Sequence, residues 1–254
     1  MPLIQQPLHV AKTDLARIEG LRALFHREAN FQVRYNACHE RGWTDSYLLT
    51  IGGDEVGYGS VKGREIADRD TVFEFFVIPS FRSYASMLFC ELLSASRVTH
   101  IEAQSNDDLM AAMLFEFGRN IHADVMLFEA HATTNHTVPG ATFRRRRDDD
   151  RIFEHLGEPV GDFVVEVDGE IAGTGGFLLH YNKPFADVHM EVAESHRRKG
   201  LGSFLVQEVI KQCFLAGCVP AARCGVDNAA SRATLTKAGM KTCGFLLIGE
   251  TKAG

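Results

Sequence analysis

The 254-residue chain is poor in the features that mark several protein classes. No apolar run approaches the roughly 20 residues that a membrane-crossing helix requires, and the stretch from Val72 to Pro79 is broken by Glu74. Residues 1–14 have no basic segment leading into an apolar stretch and a small-residue cleavage site, so no secretory leader is expected. Six cysteines (Cys38, Cys90, Cys213, Cys218, Cys224, Cys243) are too sparse for a disulfide scaffold, and none forms the Cys-x2-Cys spacing of zinc ligands. They read as reduced, small buried hydrophobes of a cytoplasmic protein. Basic charge is short as well: 27 Lys and Arg stand against 33 Asp and Glu, which argues against a nucleic-acid surface. The acidic excess lies in residues 1–135, with 18 acidic to 12 basic side chains, and suits either a cationic substrate or a solvated acidic face.

At 45% hydrophobic and 24% charged, the chain has enough apolar surface for globular cores, and its length suggests two domains. After an extended start, Leu15, Ile18, Leu21, Leu24 and Phe25 recur at helical spacing and predict a helix or helix pair within residues 14–41. A strand, turn and strand follow from Tyr47 to Val61 around Gly52-Gly53-Asp54-Glu55. The pattern returns from Asp162 to Leu179 around Asp168-Gly169-Glu170. An offset of 115 lays Glu55 on Glu170 and also carries Val77–Arg82 onto Val192–Arg197. One offset serving a hairpin and a later strand exit suggests an internal duplication, with domains at 1–137 and 138–254. Between the two hairpins, Arg144–Arg147 followed by Asp148–Asp150 reads as a self-neutralising linker or helix start rather than a phosphate patch.

From Phe185, alternation places Val188, Met190 and Val192 on one face of a strand and Asp187, His189 and Glu191 on the other. The chain then reads Arg197-Arg198-Lys199-Gly200-Leu201-Gly202-Ser203, and a helix follows from Leu205, Val206, Val209, Ile210, Cys213 and Phe214, stopped at Gly217. Strand, glycine loop and helix make an anion site. Glycines let backbone N–H groups converge, and the helix adds its positive end. The nucleotide P-loop and the dinucleotide Gly-x-Gly-x-x-Gly pattern are both absent.

Arg197-x-x-Gly200-x-Gly202 after Val192, followed by Asn228, Ser231, Lys237 and Gly239, resembles the GNAT superfamily of acyl-CoA-dependent N-acyltransferases over residues 160–250. The resemblance implies two α/β (α+β) GNAT-like domains, each a mixed, mostly antiparallel central sheet flanked by helices. It also implies a V-shaped opening between two central strands that takes the pantetheine arm. Acetyl-CoA is then the co-substrate, with backbone around Val192 on the pantetheine and the N–H groups of Arg197, Arg198, Lys199, Gly200, Leu201, Gly202 and Ser203 on the pyrophosphate. Asn228 and Ser231 stand on the cofactor side. Asn228 reads equally as a helix N-cap.

Acyl transfer to an amine needs a free lone pair, hence a base; Glu191 is the first candidate and His189 the second, with Asp187 on the same face. Where many members carry a Tyr that protonates the leaving thiolate, this chain has Leu235, so Tyr181 or Cys224 would have to substitute or the thiolate would leave unaided. The first half has Arg82-Ser83-Tyr84-Ala85-Ser86-Met87 at the loop position, and Asn106 with Phe117-Gly118 as a worn second motif. It reads as a degenerate repeat without acyl-CoA, a platform or substrate wall; an unrelated α/β domain is the alternative. The expected function is transfer of acetyl from acetyl-CoA to a primary amine of a small molecule. The alternatives are a non-catalytic acyl-CoA sensor and an aminoacyl transferase of tandem fold. Expected partners are a small amine acceptor and a second copy in a homodimer, with no nucleic acid, membrane or metal; the loop His180–Pro184 is a candidate substrate wall.

Overall fold

A computed structural model describes residues 6–28, 31–32 and 36–252; the extended start falls in part on residues 1–5, outside those described. The chain forms two compact units, one of residues up to 124 together with those from 245 onward, the other of residues 125–244.

The first unit runs β1 (Leu8–Thr13), α1 (Leu15–Glu28), α2 (Asn36–Glu40), β2 (Thr44–Ile51), β3 (Asp54–Lys62) and β4 (Thr71–Val77). A 3-10 turn (Pro79–Tyr84), α3 (Ala85–Ser96), β5 (His100–Gln104), α4 (Asp108–Phe117) and the start of β6 (Gly118–Ala130) follow. The hairpin partners pair antiparallel, and β4 and β5 pair in parallel. The strand β4 is buried along its whole length, and Phe75 packs with Leu88, Phe89 and Leu92 of α3 in the core.

The second unit repeats this order without counterparts of α1 and α2 among the described residues: β7 (Ala141–Arg145), β8 (Phe163–Val167), β9 (Glu170–Leu178), β10 (Phe185–Val192), a 3-10 turn (Glu194–His196), α5 (Leu201–Leu215), β11 (Val219–Gly225), α6 (Ala229–Lys237) and the start of β12 (Met240–Thr251). Of the expected apolar stripe of α5, Leu205, Val206, Val209, Ile210 and Cys213 form its buried face, while Phe214 near the helix end is exposed.

The units do not part at 137/138. Residues 125–129 of β6 pair with β11 in the second unit, while residues 246–250 of β12 pair with β5 in the first. The last strand of each half therefore completes the other half's sheet, a long-range pairing that hydrophobic periodicity does not encode. The internal match is also corrected by one residue. Leu49↔Gly57 corresponds to Val165↔Gly173, each followed by a bulge, so the hairpins superpose at an offset of 116 and Glu55 matches Ile171. The offset returns to 115 at the strand exits, where Gly57↔Val77 corresponds to Gly173↔Val192, because a bulge at Ser60/Val61 takes up a residue.

The segment expected as a charged linker is ordered structure: Arg144 on β7 grips Asp150 with both terminal nitrogens (2.7 and 2.8 Å) and Glu166 through Nε (3.0 Å). Among the described residues, no helix is long and apolar enough to cross a membrane.

Candidate active site

The parallel partners β10 and β11 are hydrogen-bonded at Phe185↔Val219, Ala186↔Pro220 and Asp187↔Ala221, and their register ends there. Beyond this point Val188–Val192 remains paired with β9, and Ala222–Gly225 with β6. The two strands thus part into a fork whose inner edges are not laddered to each other, and an extended chain fits such edges as an added strand.

At the open end of β10 the chain turns through the glycine loop into α5. Arg198 and Gly200 both adopt left-handed backbone (φ 62° and 85°), and Gly200 is the N-cap without a side-chain cap bond. The first-turn amides of Leu201, Gly202 and Ser203 therefore lie at a helix start where intrahelical acceptors are missing. Exposed Arg198 and Lys199 flank it, neither paired with an acid among the described residues. Arg197 is engaged within the protein, since its Nε donates to the Val192 carbonyl at 3.1 Å and ties the loop to the strand end.

The two glycines serve different ends. A Cβ on Gly202 would meet Thr234 Cγ2 at 3.2 Å and Met190 Cε at 3.3 Å, so this residue lets α5 approach α6 and β10. Gly200 supplies the positive φ. Ser203 turns its hydroxyl to the Thr234 carbonyl (3.3 Å), leaving its backbone N–H for an anion. Asn228 is the N-cap of α6, its Oδ1 accepting from the Ser231 N–H at 2.9 Å.

Asp187, His189 and Glu191 share the other face of β10, as the alternation predicts, and each is at least nine-tenths buried. Glu191 is committed to structure. Oε1 accepts the Leu156 N–H at 2.9 Å, and Oε2 accepts those of Gly157 and Glu158 at 3.1 and 3.0 Å. Burial opposes its ionisation, but these donors outweigh it and hold the carboxyl below its ordinary range. These three donors make Glu191 an anchor of the Phe153–Glu158 loop, at the residue that the sequence reading places first as base. His155 braces the same loop, with Nε2 3.1 Å from Thr174 Oγ1 and Nδ1 2.9 Å from the Glu158 carbonyl. A cleft of about 590 Å³ lies beside it, lined by Phe153, Leu156, Glu191, Val192, Glu194 and Arg197.

His189 differs from Glu191. Among the described residues its buried Nδ1 has no hydrogen-bond partner, and burial pushes the imidazole below its ordinary value, which favours the neutral form with a lone pair or a proton to give. Asp187 stands at the root of the fork, with His180 Nε2 at 3.0 Å and Arg223 Nε at 3.6 Å. The loop expected as a substrate wall thus folds back on Asp187. Burial, with Asp187 nearby, pushes Tyr181 far above its ordinary value, and burial also raises Cys224. Leu235 is buried in the core. Among the described residues no group of three or more His, Cys, Asp or Glu is arranged to hold a metal.

The first unit has the same frame without the loop. β4 and β5 also part after two pairs, and Arg82 Nε donates to the Val77 carbonyl at 3.2 Å, the counterpart of Arg197 and Val192. There the 3-10 turn passes directly into α3 with no left-handed residue, and Arg82 also pairs with Glu28. At the position of His189 stands Glu74, held by Tyr58 (3.1 Å), His39 (3.3 Å) and Arg22 (3.2 Å). The cap of α4 is Asp107, which follows Asn106 of the worn second motif.

Sequence reasoning misses two groups: the three loop amides on Glu191, and the strap of residues 131–138 along α5. Gln207 on the buried face of α5 holds that strap, accepting from Thr134 Oγ1 and the His136 N–H, both at 2.7 Å. A glutamine at apolar helical spacing was the one hint.

This frame is the fold of known acetyltransferases. An acetyltransferase from the GNAT family of Colwellia psychrerythraea superposes with a TM-score of 0.76 at 13% identity, over 96% of this chain and 100% of the other. A tandem GNAT protein from the clavulanic acid biosynthesis pathway gives 0.63 at 14% identity, over 98% and 100%. A GCN5-related N-acetyltransferase from Sphaerobacter thermophilus gives 0.60 at 14%, over 97% and 96%. Residues 126–240 match the family model described as "Acetyltransferase (GNAT) family", and this part of the chain is a GNAT acetyltransferase domain. A domain of that family implies acyl transfer. No curated protein sequence matches the chain.

Proposed function

We propose that the second unit binds acetyl-CoA and transfers its acetyl group to a primary amine of a small molecule in the cytoplasm. The observation that carries this reading is the β10–β11 fork opening beside a left-handed glycine loop that feeds a helix start. When bound, the co-substrate supplies an activated acyl thioester. The fork edges of Val188–Val192 and Ala222–Gly225 fit the pantetheine amides. The amides from Arg198 to Ser203, with the Arg198 and Lys199 charges, fit a pyrophosphate, and Asn228 and Ser231 border the same opening by family analogy. Glu191 and His155 hold the loop that walls the cleft. His189 accepts the amine proton at Nδ1, since a neutral imidazole with an unengaged nitrogen suits that role at neutral pH. The first unit is a degenerate repeat that binds no acyl-CoA and supports acceptor selection, a reading supported by its uninterrupted turn into α3 and by the ion cluster on Glu74.

The test is calorimetric titration with acetyl-CoA followed by an amine panel scored by released thiol. One equivalent per chain and turnover with some amine are expected. In the His189→Gln variant kcat should fall about 100-fold while acetyl-CoA affinity is kept. Two equivalents, or no binding, would overturn the reading. A second reading, an acyl-CoA sensor without turnover, is favoured by buried Leu235 in the place of the family's tyrosine; tight binding with no thiol released by any amine selects it.

A further inference from the structure

Helix α5 ends in a tight hydrogen-bonded cap. The Gly217 N–H donates to the Phe214 carbonyl at 2.9 Å and the Cys218 N–H to the Cys213 carbonyl at 3.0 Å, with Gly217 left-handed (φ 76°). This pair of bonds defines the Schellman motif, in which the residue after the glycine packs against the residue three from the helix end. Both members of that contact pair are cysteines here. Neither cysteine is in a disulfide, and the Cys218 Sγ lies 3.9 Å from the Ala216 carbonyl inside the same cap. A hydrophobic pair would serve the cap equally well, so two thiols at these positions are chemistry beyond what the cap requires.

We propose that Cys213 and Cys218 are a dithiol modification site that closes to a disulfide across the end of α5 on exposure to a peroxide. Cys218 is half-buried and meets solvent, whereas Cys213 is fully buried. Burial, with Cys218 beside it, pushes the Cys213 thiol up to about 12, which leaves Cys218 as the sulfur that reacts first. The Cys218 thiolate attacks one peroxide oxygen: an S–O bond forms, the O–O bond breaks and hydroxide leaves, giving the sulfenic acid. The Cys213 sulfur then attacks the Cys218 sulfur: the S–S bond forms, the S–O bond breaks, and the departing hydroxide takes the Cys213 proton. One peroxide and two thiols become one disulfide and two waters. Pairing within a six-residue span is expected to outrun any encounter with another chain, since the cap brings the two residues side by side. The site is independent of the acyl-transfer reading, because neither cysteine borders the fork.

The experiment treats the reduced full-length chain with hydrogen peroxide, with and without dimedone, then denatures, alkylates and digests with trypsin. Cleavage after Lys211 and Arg223 releases both cysteines in one peptide, residues 212–223, apart from Cys224. The expected product is that peptide unalkylated at both positions, lighter by two hydrogens, and alkylated again after dithiothreitol. Exposed Cys90 should take dimedone while Cys218 does not. In Cys213→Ala, which deletes the second thiol, the dimedone adduct should move to Cys218. A dimedone adduct or sulfinic acid on Cys218 of the parent chain with Cys213 alkylated would overturn the proposal. So would two alkylated cysteines at a dose that oxidises Cys90, or a disulfide joining two chains.

Discussion

Three consecutive amide hydrogens converge on one carboxylate, and that geometry decides what Glu191 does. Replacing Glu191 with Gln leaves one oxygen to accept and removes the charge, so the loop loses charge-assisted hydrogen bonds worth about 1.5–3 kcal/mol each. Chemical denaturation should report a loss of that order, and the acceptor KM should rise more than kcat falls. A kcat loss of about 100-fold with loop amide exchange unchanged would restore Glu191 as the base. The pH dependence has a definite sign. The folded carboxyl titrates below its unfolded value, so its contribution is complete above the ordinary carboxylate range and fades as pH falls through the folded value. The stability gap between parent and Glu191→Gln should therefore narrow in acid. A gap that widened there would contradict the assignment. His189 follows from the same reasoning with the opposite chemistry: burial keeps it neutral, so the rate in the parent should hold to lower pH than an ordinary imidazole allows, and His189→Gln should lose that limb.

At the level of the loop and its helix, the two glycines separate binding from packing. Gly200→Ala forces an L residue into left-handed backbone, a cost of about 1–2 kcal/mol, but the nearest atom to its new Cβ is Val138 Cγ2 at 3.7 Å. Relaxing that strain turns the loop amides away, so acetyl-CoA affinity should fall by more than the stability does. Gly202→Ala places its Cβ against Thr234 Cγ2 and Met190 Cε and should destabilise by about 1–3 kcal/mol. Removing the obstructing methyl in Gly202→Ala/Thr234→Ser should restore much of this. Equal melting temperatures for the single and double variants would show that packing at this helix crossing is not what the glycine serves.

The exchange of final strands makes the halves unequal to their sequence boundaries. A fragment of residues 138–254 leaves the Ala221–Gly225 edge of β11 without residues 125–129 of β6, and it should be insoluble or lack near-ultraviolet dichroism. A fragment of residues 125–244 keeps that pairing and should be the better folded of the two; the reverse ranking would contradict the strand assignment. The sequence by itself determined what is local. The stripe of α5 from Leu205 to Cys213, the alternation of β10 and the glycine turn at Gly200 follow from periods of 3.6 and 2 and from backbone restrictions that each residue carries alone. Only the tertiary structure decided what the side chains face. Glu191 finds its donors 33 to 35 residues upstream, Arg144 finds Glu166 across a strand pair, and β6 and β12 each cross to the other unit. Such partners are set by chain geometry in three dimensions, and a carboxylate or a strand has the same sequence signature whichever partner it meets.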